Sequence, residues 1–392
     1  MSKPPSKLRL AIDANEANTS NRVGSNIYAF EILNQLEQLT ADQENIETTV
    51  LLAQPPLDDF PQPREGWQYQ IITPKIFWTQ WAEPLHLHLN QDQYDVLFVT
   101  GHYAPRLSPV PYVSCVMDLA YLHYPEQFNH RDLFQLKHWT KYSVKKAKKV
   151  VTISQFSKQE IVKHYRRQPK DVIVAHPDSS LTQATFSKQQ SEQFFEKHGL
   201  TEPYFLFVGT VQPRKNLVRL VQAFELLCQR YLKQNKPLPQ LVIAGKIGWL
   251  ADEIISQIEQ SQFRQKIITP GFISDQAKKL LIEKAAATVL VGLYEGFGIP
   301  PLESLRLGTV PVVSSRSSLP EVVGQAGLQV NPEDPIDISQ ALDQILSMSV
   351  KKKAQLKKNG REQVKNFSWR KSGEKILKVL KEVGLKEADK KD

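Results

Sequence analysis

The sequence predicts an α/β chain of two doubly wound, Rossmann-like parallel sheets facing each other across a cleft. Three observations predict it. Short apolar segments alternate with helical stretches along the chain, the pattern of parallel βαβ units. The alternation comes in two sets, separated by a polar stretch from Asp178 to Glu202. The 392 residues exceed one ordinary core, so two domains of roughly 150–200 residues are expected.

In the first set, apolar runs predict strands over Leu8–Ala14, Thr48–Ala53, Tyr69–Thr73, Asp95–Thr100, Tyr112–Asp118, Lys149–Ser154 and Asp171–Ala175. Helical periodicity predicts helices over Gly24–Leu39, Arg131–Lys148 and Ser157–His164. Ser157 followed by Glu160 reads as a capping box opening the last of these. The polar connection Asp178–Glu202 has room for one short helix. The second set predicts strands over Tyr204–Gly209, Gln240–Gly245, Lys266–Gly271, Ala287–Gly292, Val310–Ser315 and Gly327–Pro332. Between them lie helices Leu217–Tyr231, Asp252–Gln260, Ser274–Ala286, Pro301–Leu307 and Ile336–Ser347. The domains are therefore drawn as 1–180 and 181–367. In such sheets ligands bind at the carboxyl ends of the strands, so two facing sheets place a site in the cleft.

Composition narrows the function. With 41% hydrophobic and 23% charged residues the chain is globular and not wholly disordered. Its longest apolar runs, from Tyr204 and Ala285, are far shorter than the roughly 18–20 residues of a membrane span. Arg9 and Asp13 break the N-terminal apolar stretch, which makes a poor signal peptide, so a cytoplasmic protein is expected. Two cysteines, Cys115 and Cys228, cannot build a disulfide framework or a four-thiolate zinc site. The net charge of +9 is concentrated at Lys145, Lys146, Lys148 and Lys149, at Lys351–Lys353, and at Lys386, Lys390 and Lys391. Such runs read as solvated helix faces or as attraction to an anionic membrane surface. No nucleic-acid motif or aromatic platform accompanies them, so nucleic acid is not an expected partner.

Four segments carry chemistry. In EGFGIPPLE (Glu295–Glu303), two glutamates flank a glycine-rich turn between a strand and a helix. Pro300 and Pro301 donate nothing, so the amides available to an anion are those of Gly296, Phe297, Gly298 and Ile299. Carboxylates at Glu295, in the loop, and Glu303, one turn into the helix, suit sugar hydroxyls. A capped strand–helix junction with a structural acid is the competing reading. In FVGTVQPRKN (Phe207–Asn216), the strand ends at Gly209, and Arg214 and Lys215 stand at the mouth of a helix. Two cations there can neutralise a diphosphate leaving group, or simply form a basic surface pair. In NRVGSN, Gly24 lets an acceptor or phosphate approach a helix start, or serves the turn alone. In VMDLAYLHYPE, Asp118 lies at the active edge of the first sheet, as a catalytic group or a turn cap. No Asp-x-Asp triplet occurs and no His/Asp cluster has metal-ligand spacing, so no metal is expected. The dinucleotide fingerprint G-x-G-x-x-G is absent, which argues against a dehydrogenase.

These segments resemble glycosyltransferase family 4, the large retaining group of GT-B fold. The resemblance rests on Glu295 and Glu303 at their spacing, Gly296-Phe297-Gly298, Gly209 with Arg214-Lys215-Asn216, and GFISD at Gly271–Asp275. Ile153–Ile161 and Asn366–Leu377 add to it. The resemblance implies that Glu303 binds the nucleotide ribose and Glu295 the donor sugar. Arg214 and Lys215 would hold the diphosphate, with the Gly298 and Ile299 amides near the sugar or phosphate. Phe272 and Ile273 would present backbone groups to the base. It also implies that a terminal helix, 368–392, packs back on the first domain. Asp118 matches the aspartate of a frequent His-Asp pair, but here the preceding residue is Met117; His102 and His123 are the candidate replacements.

The implied activity is hexosyl transfer with retention, from a nucleotide-diphosphate sugar to a glycan or lipid-linked acceptor. The GFGIPPLE wording is similar to mannosyl- and rhamnosyl-type enzymes, which favours GDP-mannose over a UDP-sugar. A non-catalytic sugar-nucleotide or glycan-binding module of the same fold is the alternative.

Overall fold

The strands of this chain, several of them buried at every position, need cover on both faces. In a computed structural model that describes residues 7–179, 181 and 183–388, they form two parallel sheets. The first contains β1 (Leu8–Asp13), β2 (Ile46–Leu52), β3 (Trp67–Ile71), β4 (Val96–Val99), β5 (Tyr112–Cys115), β6 (Lys149–Thr152) and β7 (Val172–Val174). Their spatial order is β3-β2-β1-β4-β5-β6-β7. The second contains β8 (Tyr204–Val208), β9 (Gln240–Ala244), β10 (Ile267–Gly271), β11 (Ala287–Leu290), β12 (Pro311–Ser314) and β13 (Leu328–Val330), ordered β10-β9-β8-β11-β12-β13. Central strands such as β4, β9 and β11 bury every residue, whereas β3 at a sheet edge alternates inward and outward.

Both orders reverse direction at one place, between β1 and β4 and between β8 and β11. The loops after these strands diverge to opposite faces and leave a crevice at their carboxyl ends. That topology decides which loops can form a site.

The chain divides into two compact units: residues up to Pro177 with those from Ser368 onward, and Asp178–Phe367. In the second unit, helix Leu217–Lys233 buries Leu217, Leu220, Val221, Phe224, Leu227 and Cys228, an i, i+3, i+4 stripe, against the sheet. In the first, the last helix, Trp369–Ala388, lies along helix Ser25–Thr40. The Trp369 ring meets Tyr28 edge-on at 5.7 Å, and Ser372 donates to the His176 carbonyl at 2.6 Å. A Cβ on Gly373 would stand 2.7 Å from Gln35 Cβ, so glycine lets the two helices close up. Cys115 and Cys228 are buried free thiols, both pushed up by burial.

Several local expectations change. Strand β6 ends at Thr152, so Ser154, not Ser157, caps helix Gln155–Tyr165 and accepts the Ser157 amide at 3.0 Å. The predicted helix Arg131–Lys148 is observed as His130–Gln135 and Lys141–Lys146 joined by a π-turn, Leu136–Thr140. The polar connection carries helix Lys188–His198, opened by a Ser187–Gln190 capping box and closed by Gly199 at φ 63°. Helix Val350–Gln363 was not anticipated, because its only buried residues are Leu356 and Gly360 and it shows no apolar stripe. Lys149 pairs with Asp171 at 2.9 Å and is not part of a solvated run. Lys390 and Lys391 lie outside the described residues.

Candidate active site

The switch point of the second sheet brings together the loop after β8, Gly209–Asn216, and the loop after β11, Val291–Gly298. Backbone contacts join them first. The Leu293 amide donates to the Arg214 carbonyl at 2.9 Å, and Asn216 donates from Nδ2 to the carbonyls of Val291 and Pro332 at 3.0 and 2.6 Å. Asn216 sits at φ 59°, a left-handed conformation that asparagine tolerates better than most residues, and helix Leu217–Lys233 starts directly after it.

Side chains then converge. Lys215 Nζ lies 2.7 and 3.0 Å from the two oxygens of Glu295. Arg214 donates to the Tyr294 carbonyl at 2.7 Å and comes within 3.6 Å of Glu295 Oε2. Glu295 is buried. Two serines after β12 hold its backbone: Ser317 Oγ accepts the Glu295 amide at 3.0 Å, and Ser318 Oγ donates to the carbonyls of Glu295 and Phe297 at 2.8 and 2.7 Å. A Cβ on Gly292 would lie 2.8 Å from Glu295 Oε1, so glycine there makes room for the carboxylate.

Gly298, at φ 118°, ends this loop and opens helix Ile299–Leu307, whose first turn carries Pro300 and Pro301. Phe297 is buried, with its ring edge-on to Phe367 at 5.4 Å, so it anchors the loop from behind. Glu303, one turn into the helix, is buried and receives Lys278 Nζ at 2.8 Å. Burial pushes the Glu303 carboxyl up, and the Lys278 ammonium offsets part of that. Burial also acts to lower Lys278, but Glu303 and Asp275 beside it prevail and its pKa is raised. Gly209 stands where the chain leaves β8; its carbonyl would be 2.0 Å from a Cβ on Gly245, so the carboxyl ends of β8 and β9 tolerate no side chain there. After β10, Phe272 is exposed and Ile273 is packed against the core, ahead of Ser274, which caps helix Asp275–Lys284.

In the first unit the corresponding loops follow β1 and β4. Gly24, exposed and at φ 49°, precedes helix Ser25–Thr40, and a Cβ there would meet nothing within 4 Å. Glu16 accepts from Ser25 Oγ at 2.6 Å and Asn26 Nδ2 at 3.0 Å. Asp118 lies beyond β5 and accepts the Ala120 amide at 2.9 Å. Burial lowers the His102 imidazole, against the charges of Asp118 and Glu16 that face it. Of the two histidines considered as replacements at Met117, His102 thus lies in the field of Asp118, whereas His123 contacts Glu160 and stands within reach of His164. The ligand atoms of His123, Glu160 and His164 all lie within 4.8 Å of one another, a grouping made across the fold, where sequence spacing gives no sign of it.

Sequence reasoning missed Ser317, Ser318 and Lys278. The serines had a signal, the polar run SSRSSLPE directly after a strand; Lys278 had none beyond its place on a helix.

Two sheets of this order in one chain make the GT-B glycosyltransferase fold, and solved structures share it. Sucrose-phosphate synthase from Thermosynechococcus elongatus superposes with a TM-score of 0.71 over 96% of this chain and 99% of its own, at 16% identity. HepE from Anabaena, solved with UDP and glucose, gives 0.68 over 95% and 99%, also at 16% identity. Residues 188–363, most of the second unit, match the family model "Glycosyl transferases group 1". O-antigen chain mannosyltransferase B of Escherichia coli is 31% identical over 228 residues, 58% of each chain. This chain thus spans little more than half the length of that curated relative.

Proposed function

We propose that the protein moves a hexosyl group, with retention at the anomeric carbon, from a nucleotide-diphosphate sugar to a glycan or lipid-linked acceptor. The observation that carries this reading is the meeting of Arg214, Lys215 and Glu295 at the switch point of the second sheet. On arrival of the donor, the two cations turn to its diphosphate and Glu295 to the sugar hydroxyls. Glu303 receives the ribose hydroxyls. The Gly298 and Ile299 amides, at a helix N-terminus, face the sugar or phosphate. Phe272 and Ile273 offer backbone groups to the base, Gly209 leaves room for the donor, and Phe297 holds the loop. Arg214 and Lys215 supply the charge that a metal supplies elsewhere, so transfer needs no metal. Asp118 and Gly24 serve the acceptor side, with His102 as an imidazole on which the charge of Asp118 acts.

GDP-mannose is the donor we put first, because the relative at 31% identity is an O-antigen mannosyltransferase; a UDP-sugar is the alternative, because HepE was solved with UDP. A lipid-linked acceptor at the cytoplasmic face of a membrane is supported by an apolar stripe at fourfold spacing, Phe77, Trp81, Leu85 and Leu89, each more than 60% exposed. Among the described residues no helix is long and apolar enough to cross a membrane. The test is a panel of GDP- and UDP-sugars with detection of released nucleotide. Release that rises with added acceptor supports transfer. Tight binding without turnover supports the second reading, a binding module, which Met117 beside Asp118 favours.

A further inference from the structure

We infer that His123, Glu160 and His164 form a binding site for a zinc-class divalent cation in the first unit, apart from the donor loops and independent of the transfer reading. His123 ends the short helix Ala120–His123. Glu160 and His164 are four residues apart on helix Gln155–Tyr165 and so share one face. Both Nε2 atoms approach the same carboxylate oxygen, Glu160 Oε2: His164 at 3.4 Å, and His123 in direct contact. The three ligand atoms all lie within 4.8 Å of one another. Tetrahedral ligands at about 2.0–2.2 Å from zinc stand roughly 3.3–3.6 Å apart, so small side-chain shifts suffice to receive an ion. The two imidazole planes cross at 89° with centroids 5.3 Å apart, so the rings do not stack on each other.

Exposure fits an ion site. The carboxylate is anchored, with its side chain 11% exposed, while the imidazoles are 34% and 30% exposed. An ion can enter from solvent and keep water in a fourth position. Two imidazoles with one carboxylate suit zinc and its neighbours, not magnesium or calcium, which prefer all-oxygen shells. Without an ion, Glu160 can pair with both rings only if each donates from Nε2; a cation takes the place of those two protons.

The frame is already in place. The Tyr121 and Tyr165 hydroxyls meet at 2.6 Å and tie the same two helices together in the core. The ion would fasten the outer end of that junction. Because Asp118 accepts the amide of Ala120, the first residue of the short helix, the ion would also steady the segment that presents Asp118.

The experiment strips the full chain with a chelator, then titrates it with Zn²⁺ by calorimetry and with Co²⁺ by visible absorption. The expected result is one ion per chain and the intense d–d bands of four-coordinate cobalt. His123→Ala, His164→Ala and Glu160→Gln should each lower affinity by about 100-fold or more, since losing a ligand costs more than losing a group behind it. His138→Ala, an exposed histidine outside the cluster, should change nothing. Circular dichroism checks that each variant folds, and a Zn²⁺-dependent rise in Tm, present in the wild type and absent in Glu160→Gln, is a second readout. A wild type that binds Zn²⁺ no more tightly than the His123→Ala/His164→Ala double variant overturns the assignment, as does equal loss in His138→Ala.

Discussion

The ammonium of Lys215 spans both carboxylate oxygens of Glu295, at 2.7 and 3.0 Å, where the Glu295 side chain is only 7% exposed. With Arg214 at 3.6 Å, this carboxylate is held by two cations from a loop 80 residues earlier in the chain. A diphosphate must compete with Glu295 for the same charges. Under the proposed function, the arrangement would couple donor arrival to release of the acid that reads its sugar.

That coupling separates stability from chemistry. Lys215→Ala leaves the buried carboxylate with Arg214 alone, at 3.6 Å, and losing one partner of a buried pair costs up to about 3–5 kcal/mol. Tm should fall and nucleotide affinity with it. Adding Glu295→Ala removes the carboxylate that has lost its nearer cation, so the double variant should regain much of the lost Tm while transfer stays abolished. Glu295→Ala alone should abolish transfer with a modest loss of nucleotide affinity. Full turnover in that single variant, measured as nucleotide released with acceptor present, contradicts the role given to Glu295.

We propose Glu303 as the acceptor of the ribose hydroxyls. Hydrogen bonds to a charged group are worth about 1.5–3 kcal/mol, so Glu303→Ala should weaken nucleoside diphosphate binding by roughly 10- to 150-fold. A 2′-deoxy nucleotide should lose much less on the same substitution, because it lacks one of the hydroxyls. Equal losses for both nucleotides would mean that Glu303 acts through Lys278, 2.8 Å away, and not through the sugar.

The sequence made both sheets legible because parallel strands buried on two faces read as continuous apolar runs, such as Val96–Val99 and Ala287–Leu290. Arg214, Lys215, Glu295 and Glu303 were legible because each sits at a strand–helix junction marked by glycine or proline. Strand order was not, since periodicity names elements and not neighbours. Ser318 on the Glu295 carbonyl, Lys278 on Glu303 and His123 on Glu160 are contacts over 23, 25 and 37 residues, and no local pattern specifies them. Ser154 took the cap expected of Ser157 because the strand before it stopped two residues sooner than its apolar run.

Close approach of two backbones makes Gly245 the least replaceable glycine at the carboxyl ends of β8 and β9. An alanine Cβ would lie 2.0 Å from the Gly209 carbonyl oxygen, and φ is 145°. No rotamer relieves a backbone overlap, so Gly245→Ala should destabilise the second unit by at least about 3 kcal/mol. Gly24→Ala meets open space and should cost far less, from its φ of 49° alone. Paired thermal melts check the ranking; comparable losses would refute it.

The apolar stripe gives a surface prediction. Trp81 and Leu85 are 73% and 61% exposed, so Trp81→Ser and Leu85→Ser should leave Tm nearly unchanged. Burying such a side chain in an interface is worth roughly 1.5–3 kcal/mol, so the pair should lower flotation with anionic vesicles by at least tenfold. Unchanged flotation would remove the stripe from any membrane contact.

Burial pushes the Asp13 carboxyl up to about 7, despite two hydrogen bonds from Asn15, and Glu16 adds to the rise. Glu83 is fully buried, its carboxyl is raised by burial and by the charge of Asp13, and neither of its oxygens has a hydrogen-bond partner among the described residues. In the folded protein Asp13 holds its proton to about pH 7, whereas the unfolded chain releases it near its ordinary value of 3.8. Between those values the folded state binds more protons, so stability is greatest at the acid end of the window and declines as pH rises to about 7. Above that pH the contribution is flat. Asp13→Asn keeps an acceptor for Asn15 and cannot ionise, so it should match the wild type near pH 4 and exceed it by roughly 2–4 kcal/mol at pH 8. The difference between the two proteins in urea unfolding, taken from pH 4 to 8, isolates this group from every other titration. A constant difference across that range would mean that Asp13 is ionised in the folded state, and that Glu83 alone holds the proton.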